Sequence, residues 1–343
     1  MSRPTIADVA RAAGVSTTSV SFAFNNPTRI SEATRDRILT IAADLGYIPD
    51  PVARSMSTGR TGTIGLLVPQ PLTEMARNPH FSEFLAGVAR ATEARDVPIL
   101  LVSPQQGSME HAVYGAAVDG FLTLGLETFR PTLKLLDQRR LPYVMVDSEP
   151  VPGIACVNVD DTAGASQAMA RILSAGHRHI GILGIRSPQR GTWRNYVGTL
   201  ARRTDGYQKA LSEHGLSLDD TILKECTVSE TAGRRGLRRL MEQADQPTAV
   251  VAMSDIIALG ALEEAARLGL RVPGQLSIIG FDDIPEARWA LPPLTTVGQP
   301  ARNKGHLAAE LLIDLIAGTR PPEHIVLETH LIERDTVAAP PSR

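Results

Sequence analysis

Apolar positions recur with a helical period through the first fifty residues and gather into short continuous runs thereafter. Ile6, Val9 and Ala10 share one helix face, and Val20, Ala23 and Phe24 share another after a break at Gly14. Thr5 followed three residues later by Asp8 has capping-box spacing and sets an acid at the positive end of the helix dipole. Gly14 permits the left-handed backbone that a sharp turn needs. Ser16 can cap the second helix, which leaves Thr17, Thr18, Ser21 and Phe22 on its outer face. A third helix, capped by Ser31, turns Ile38, Ile41 and Leu45 toward the first two. The pattern predicts a helix-turn-helix unit whose second helix suits a DNA major groove. A three-helix protein-binding module is the alternative.

From Thr63 the pattern changes. Continuous apolar runs at 64–68, 97–102, 120–124 and 143–146 alternate with amphipathic stretches at 81–95, 108–117 and 130–138. A second series places strands near 179–184, 248–252 and 276–281 and helices near 161–175, 202–214, 230–243 and 254–268. Continuous apolar strands separated by helices imply parallel sheets covered on both faces, and ligands in such folds sit at the carboxyl ends of the strands. The predicted fold class is α/β, a small all-α head followed by a two-lobed, doubly wound parallel-sheet body.

Residues 47–62, beginning Tyr47-Ile48-Pro49-Asp50-Pro51, resemble the hinge of the LacI family of bacterial transcription regulators. Further motifs in the family's order include Thr5-Ile6-Ala7-Asp8-Val9-Ala10, Leu45-Gly46-Tyr47, Gly176-His177-Arg178-His179-Ile180, Gly206-Tyr207, Gly280-Phe281-Asp282-Asp283 and Pro292-Pro293-Leu294-Thr295-Thr296. The resemblance implies a head at 1–49, a hinge at 50–61, an effector-binding and dimerisation domain at 62–337 and a frayed tail at 338–343. It further implies a periplasmic-binding-protein-like body. The N-lobe is then about 62–159 plus 292–322 and the C-lobe about 160–291 plus 323–337, with crossings near 158–161, 290–293 and 321–324. A hinge this short is a marginal helix in water, so it is expected to order only against a partner's hinge on DNA. Val52, Ala53 and Met56 form its apolar stripe, and Met56 matches the family's wedge into the minor groove. The expected DNA-binding residues are Thr5, Ser16, Thr17, Thr18, Ser21, Phe22, Asn25, Arg29, Ala53, Arg54 and Met56. Phe22 stands where well-known members carry an arginine, which implies a preference other than guanine at that operator position.

For the effector, Asp282 follows a strand and can accept hydroxyl hydrogen bonds, or it can simply cap a turn. Arg203 matches the family's ligand-binding arginine, with a surface ion pair as its plainer reading. His80 and Phe81 match positions lining the N-lobe side, where Phe81 can stack on a ring or fill the core. Asp147 and Gln299 are candidates by motif position. Ser254 replaces a frequent asparagine, which alters or removes a hydrogen bond to ligand. The segment 185–202 is longer than usual, and its Trp193, Arg194 and Tyr196 suggest an aromatic lid or incidental surface residues. A further insertion, 71–77, is placed on the opposite lip.

Charge refines the picture. The 343 residues carry a net charge of -2, but residues 1–62 hold seven Arg against five acids, or +2, which leaves -4 for the rest. Arg3, Arg11, Arg29, Arg35, Arg54 and Arg60 are candidates for phosphate contact. The two cysteines, Cys156 and Cys226, read as reduced thiols, and His177-x-His179 lacks the neighbours of a metal site. Neither cofactor nor metal is expected. The chain has no apolar run long enough for a membrane and no signal segment, so a cytoplasmic location is expected. Dinucleotide, phosphate-loop and nucleophile-elbow motifs are absent, which argues against an enzyme. The expected function is a sequence-specific DNA-binding regulator, read as a repressor, under a small sugar-like or nucleoside-like effector. The expected partners are a near-palindromic operator and a second copy of the chain. A solute-binding protein without a DNA role is the alternative.

Overall fold

Helix α1 (Ile6–Ala13) starts on a reciprocal cap, in which Asp8 N–H donates to Thr5 Oγ1 at 3.4 Å and Thr5 N–H donates to Asp8 Oδ2 at 3.0 Å. Gly14 closes it in the left-handed region, at φ 63°. Ser16 caps α2 (Thr17–Asn25) by accepting from Ser19 N–H at 3.1 Å, and Ser31 caps α3 (Glu32–Asp44) in the same way. Val9, Val20 and Ile38 are fully buried where the three helices meet. Leu45, expected inside, is 39% exposed, and Phe24 packs edge-on against Tyr47 with ring centres 5.8 Å apart. The computed structural model describes residues 4–104, 108–125, 130–186 and 193–341, without the side chains of Pro51, Arg54, Ser57, Arg130 and Pro131.

The hinge is a helix in the single chain, α4 (Pro51–Thr58), although pairing on DNA was expected to be needed. Its ends explain this: Val52 N–H donates to Asp50 Oδ1 at 2.8 Å, Pro51 presets the first turn and Gly59 closes the last at φ 68°. Residues 1–62 form one compact unit and 63–343 another.

The second unit begins β1 (Ile64–Leu67), α5 (Leu72–Met75), α6 (Pro79–Glu93), β2 (Ile99–Val102), α7 (Met109–Gly115), β3 (Gly120–Leu124), α8 (Arg130–Arg139), β4 (Tyr143–Val146) and β5 (Ala155–Val159). It continues α9 (Asp161–Ser174), β6 (Ile180–Ile185), α10 (Gly198–Glu213), β7 (Ile222–Cys226), α11 (Glu230–Met241), β8 (Ala249–Ala252), α12 (Asp255–Arg267) and β9 (Ser277–Ile279). The chain closes with α13 (Pro285–Trp289), β10 (Thr296–Gly298), α14 (Ala301–Ala317), β11 (His324–Leu327) and β12 (His330–Ile332). One parallel sheet runs β11-β5-β4-β3-β1-β2 and the other β7-β6-β8-β9. Each has apolar cores on both faces, which is why its inner strands β1, β3, β4, β6 and β8 read as apolar runs. Among the described residues no helix is long and apolar enough to cross a membrane.

Strand pairing corrects two of the three crossings. The first passes from β5 into α9 at Asp160. The second falls after β10, not near 290–293, because β10 still bridges the end of the second sheet through Ile279–Thr295 and Asp282–Gly298. The third falls between β11, which pairs with β5, and β12, which pairs with β10, rather than at 321–324. The N-lobe thus gains the strand at 324–327, and the C-lobe keeps residues 292–298. The tail also needs correction. Ala338 N–H donates to Ser277 Oγ at 3.1 Å, and its carbonyl lies 2.9 Å from His177 Nε2. The chain is therefore held through Ala338, while residues 342–343 lie outside the described residues.

Helix α14 seats so closely on α6 that a Cβ at Gly87 would overlap the Arg302 carbonyl, and one at Gly305 the Phe84 carbonyl. Gly87→Ala should therefore destabilise the protein by about 1–3 kcal/mol, read as a lower urea midpoint. An unchanged midpoint would show that the two helices separate freely.

Candidate functional site

The carboxyl ends of both sheets bring one group of side chains together. Asp147 follows β4, Asp282 follows β9, Ser254 precedes α12, Arg203 lies in α10, and Gln299 occupies the second crossing. Asp147 and Asp282 both hold positive φ, 52° and 132°, as does Asp283 at 54°. Aspartate tolerates that region better than most residues, but it still stores backbone strain at the site.

A hydrogen-bonded chain runs through the group. Lys304 Nζ donates to Asp147 Oδ1 and Oδ2 at 2.8 and 2.7 Å and to Gln299 Oε1 at 2.8 Å. Gln299 Nε2 then donates to Asp282 Oδ1 at 2.6 Å, and Ser254 Oγ to Asp282 Oδ2 at 2.9 Å. Ser254 thus supports Asp282 instead of standing free for a ligand. Arg203 Nε donates to Asp161 Oδ1 at 2.9 Å and Nη1 to the Met253 carbonyl, its guanidinium carbon lies 3.7 Å from the Phe281 ring centre, and Nη2 stands 3.9 Å from Asp282 Oδ1. A cavity of about 320 Å³ borders this group, with His80, Asp282 and Gln299 in its wall and Glu83 and Arg302 paired at its side. A larger one, of about 790 Å³, lies elsewhere, between α8, the β4–β5 connection and the start of α10.

Burial sets the protonation states. It pulls the His80 imidazole down, and Asp282 only partly offsets it. It pushes Asp147 up, but Lys304 and then His80 outweigh it and hold the carboxyl below its ordinary value. Arg203 is disfavoured by burial yet raised on balance by Asp161 and Asp282. Asp255 is fully buried, accepting from Thr296 Oγ1 at 2.5 Å and Ile284 N–H at 3.0 Å. Burial, followed by the nearby Asp282 carboxylate, pushes it up to about 8 from an ordinary 3.8. The folded chain thus keeps a proton that the unfolded chain loses at lower pH. Asp255 consequently makes stability fall as pH rises from 3.8 toward about 8. Urea titrations across that window should show a shallower fall for Asp255→Asn than for the parent chain; parallel curves would contradict it.

Some expected residues lie elsewhere. Phe81 is 3% exposed within the core between α6 and the first sheet, so it fills that core and does not face a ligand. Its neighbour His80 takes the cavity side. Tyr196 is buried beside α9 and α10 with its hydroxyl 2.9 Å from Glu225 Oε1, which removes it from any lid. Trp193 packs against the same core, with Arg194 4.4 Å over its ring, and does not join the Asp282 group; residues 187–192 of that loop lie outside the described residues. In the 71–77 insertion, Met75 is anchored in the first-sheet core. His177 is buried on Thr248 and Ser277, and His179 meets Asp245, each within 3.0 Å. Sequence reasoning missed Lys304, Asp161 and Asp255. A lone Lys on an otherwise apolar helix face was the available signal for Lys304, which is 0% exposed.

In the head, Thr17 and Thr18 are exposed on α2, with Ser21 and Phe22 half-buried beside them. Asn25 Nδ2 reaches Ser21 Oγ at 3.4 Å, and Arg29 stands 5.4 Å from the Phe22 ring centre. Thr5 and Ser16 are engaged as caps. On the hinge Met56 is 83% and Val52 64% exposed, and Ala53 is exposed too. Arg3 and the Arg54 side chain lie outside the described residues.

A helix-turn-helix head and a two-sheet body with a polar cleft define a DNA-binding transcription regulator with an effector-binding domain. Residues 5–50 match the family described as bacterial regulatory proteins, lacI family, and residues 169–337 match the periplasmic binding protein-like domain. The HTH-type transcriptional regulator CelR of Thermobifida fusca is 34% identical over 97% of this chain and 98% of its own. The HTH-type transcriptional repressor CytR of Escherichia coli K12 is 32% identical over 98% of this chain and 97% of its own. A solved CelR–cellobiose complex superimposes with a TM-score of 0.73 at 31% identity, covering 97% of this chain and 100% of that one. The chain belongs to the lacI family of bacterial transcription regulators.

Proposed function

We propose that this regulator represses by binding a near-palindromic operator as a homodimer in the cytoplasm, and that a small sugar-like effector in the Asp282 cleft changes its operator affinity. The observation that carries the effector reading is the convergence of Asp282, Arg203, Gln299 and His80 at the carboxyl ends of two sheets beside a cavity. Asp147 and Ser254 hold that group in place. Lobe closure over the ligand would alter the spacing of two paired hinges and so the fit to DNA.

On the DNA side, Thr17, Thr18 and Phe22 read base edges, with Ser21 and Asn25 beside them. Thr5, Ser16 and Arg29 hold phosphates. Ala53, Arg54 and Met56 enter the minor groove from the hinge. The dimer reading is supported by Trp289 and Leu291, 82% and 92% exposed, since large apolar side chains so open mark a surface that associates. The full-length relatives are transcription regulators, which favours this reading over both a solute-binding protein and an enzyme.

A thermal-shift screen of the full-length chain tests the effector reading. The panel begins with cellobiose, on the strength of the solved relative, and extends to other sugars, polyols and nucleosides. A ligand at a hundred times its Kd should add about 2.7 kcal/mol. A hit lost in Asp282→Ala supports the cleft, whereas hits that ignore Asp282 and Arg203 would place the effector elsewhere.

A further inference from the structure

We infer that the effector of the Asp282 cleft is an uncharged polyhydroxy compound and that the Asp147–Lys304 pair excludes anionic sugars from it. This deepens the proposed function and rests on it. Arg203 and Lys304, with 6% and 0% of their side chains exposed, stand behind the wall residues Asp282 and Gln299. Arg202, 22% exposed, shares Asp161 with Arg203, and Arg302 of the cavity wall is paired with Glu83. Each is already matched inside the protein. Asp161 Oδ1 accepts from Arg203, and its Oδ2 accepts from Arg202 at 3.1 Å. Asp147 receives Lys304 through both oxygens, and Asp282 faces Arg203. Each positive group therefore already has a carboxylate partner. Burial lowers the basicity of His80, which disfavours its cationic form. An incoming phosphate or carboxylate would bury a charge without a counter-ion, which is strongly unfavourable.

The donor geometry agrees. The 3.9 Å gap between Arg203 Nη2 and Asp282 Oδ1 is too wide for a hydrogen bond. An oxygen between them must accept from the guanidinium and donate to the carboxylate. A hydroxyl does both, whereas a carboxylate or phosphate dianion only accepts. Lys304 offers no help to an anion, since its three donors go to the two Asp147 oxygens and to Gln299. It acts as a specificity-determining residue by having its charge neutralised in place.

The full-length chain is tested by thermal shift and calorimetry with compounds paired by charge: cellobiose, glucose, ribose and inosine beside glucose 6-phosphate, glucuronate, ribose 5-phosphate and inosine 5′-phosphate. Asp282→Asn marks the shifts that arise in the cleft. Every cleft-dependent shift should belong to an uncharged member, with its anionic partner at least about 100-fold weaker. An anion whose cleft-dependent binding equals or exceeds that of its neutral partner overturns this inference and leaves the effector reading standing. A panel without any cleft-dependent shift overturns the effector reading, and this inference with it. Asp147→Asn, checked for folding by circular dichroism, unmasks the Lys304 charge and should tighten anion binding by at least about tenfold. Unchanged exclusion of anions by the folded variant would contradict the role of the pair.

Discussion

Asp161→Ala should destabilise the folded chain by about 3–5 kcal/mol, the largest loss expected from any single polar side chain of the cleft. Asp161 is fully buried and accepts from Arg203 Nε at 2.9 Å and from Arg202 Nε and Nη2 at 3.2 and 3.1 Å. Its removal leaves one guanidinium buried and another half-buried without their shared counter-ion. The rest of the setting offers little relief, because Arg203 is held against Phe281 and the Met253 carbonyl and Asp282 stands 3.9 Å away, beyond hydrogen-bond reach. Urea denaturation reads the effect directly. A loss below about 1 kcal/mol would mean that the arginines find other partners, as exposed pairs commonly do. Asp161→Asn keeps the shape and part of the hydrogen bonding, so it should fall between the two.

Met56→Asp should leave the free chain as stable as before and lower operator affinity on the order of 100-fold or more. The side chain is 83% exposed, so it contributes little to the folded monomer. In the groove an apolar wedge works by unstacking a base step, which involves a few kcal/mol. A carboxylate in that position meets the phosphate backbone and cannot insert. Fluorescence anisotropy on operator duplexes, with thermal melts of the free protein as the control, separates the two effects. Equal affinity of parent and variant would show that the hinge does not enter the minor groove. A melting temperature lowered along with the affinity would assign Met56 a role in the fold.

The head and seven strands, β1–β4, β6, β8 and β9, were legible because their signals are local. Thr5, Asp8, Gly14 and Ser16 act within three or four residues of themselves, and the caps and turn they imply are those observed. Most strands buried on both faces announce themselves as apolar runs, but β5, buried throughout, was not expected because Asn158 interrupts its short run. The strand expected over 97–102 begins at Ile99, after Pro98, which cannot donate to a ladder. By contrast, β7 was not expected, since Ile222-Leu223-Lys224-Glu225-Cys226 lies at a sheet edge where charged residues are tolerated. The crossings depend on which strand joins which sheet, and no local pattern in 290–330 carries that information.

The cleft divides in the same way. Asp282, Arg203, Gln299, Asp147 and Ser254 were found by motif position, and they meet in space. Phe81 and His80 are adjacent, so only the phase of α6 decides which one faces the cavity. Lys304 was overlooked because a single lysine in a helix normally points to solvent. Its buried partners come from β4 and from the second crossing, far away in sequence.

The most direct test of the account is operator affinity with and without the cleft ligand. A duplex selected from a random pool by the full-length chain would be titrated by anisotropy in the presence of the compound that the thermal-shift screen identifies. The predicted result is a change in Kd of about 5- to 150-fold that disappears in Asp282→Ala. The same Kd at saturating ligand would contradict the claim that the cleft controls the DNA-binding head.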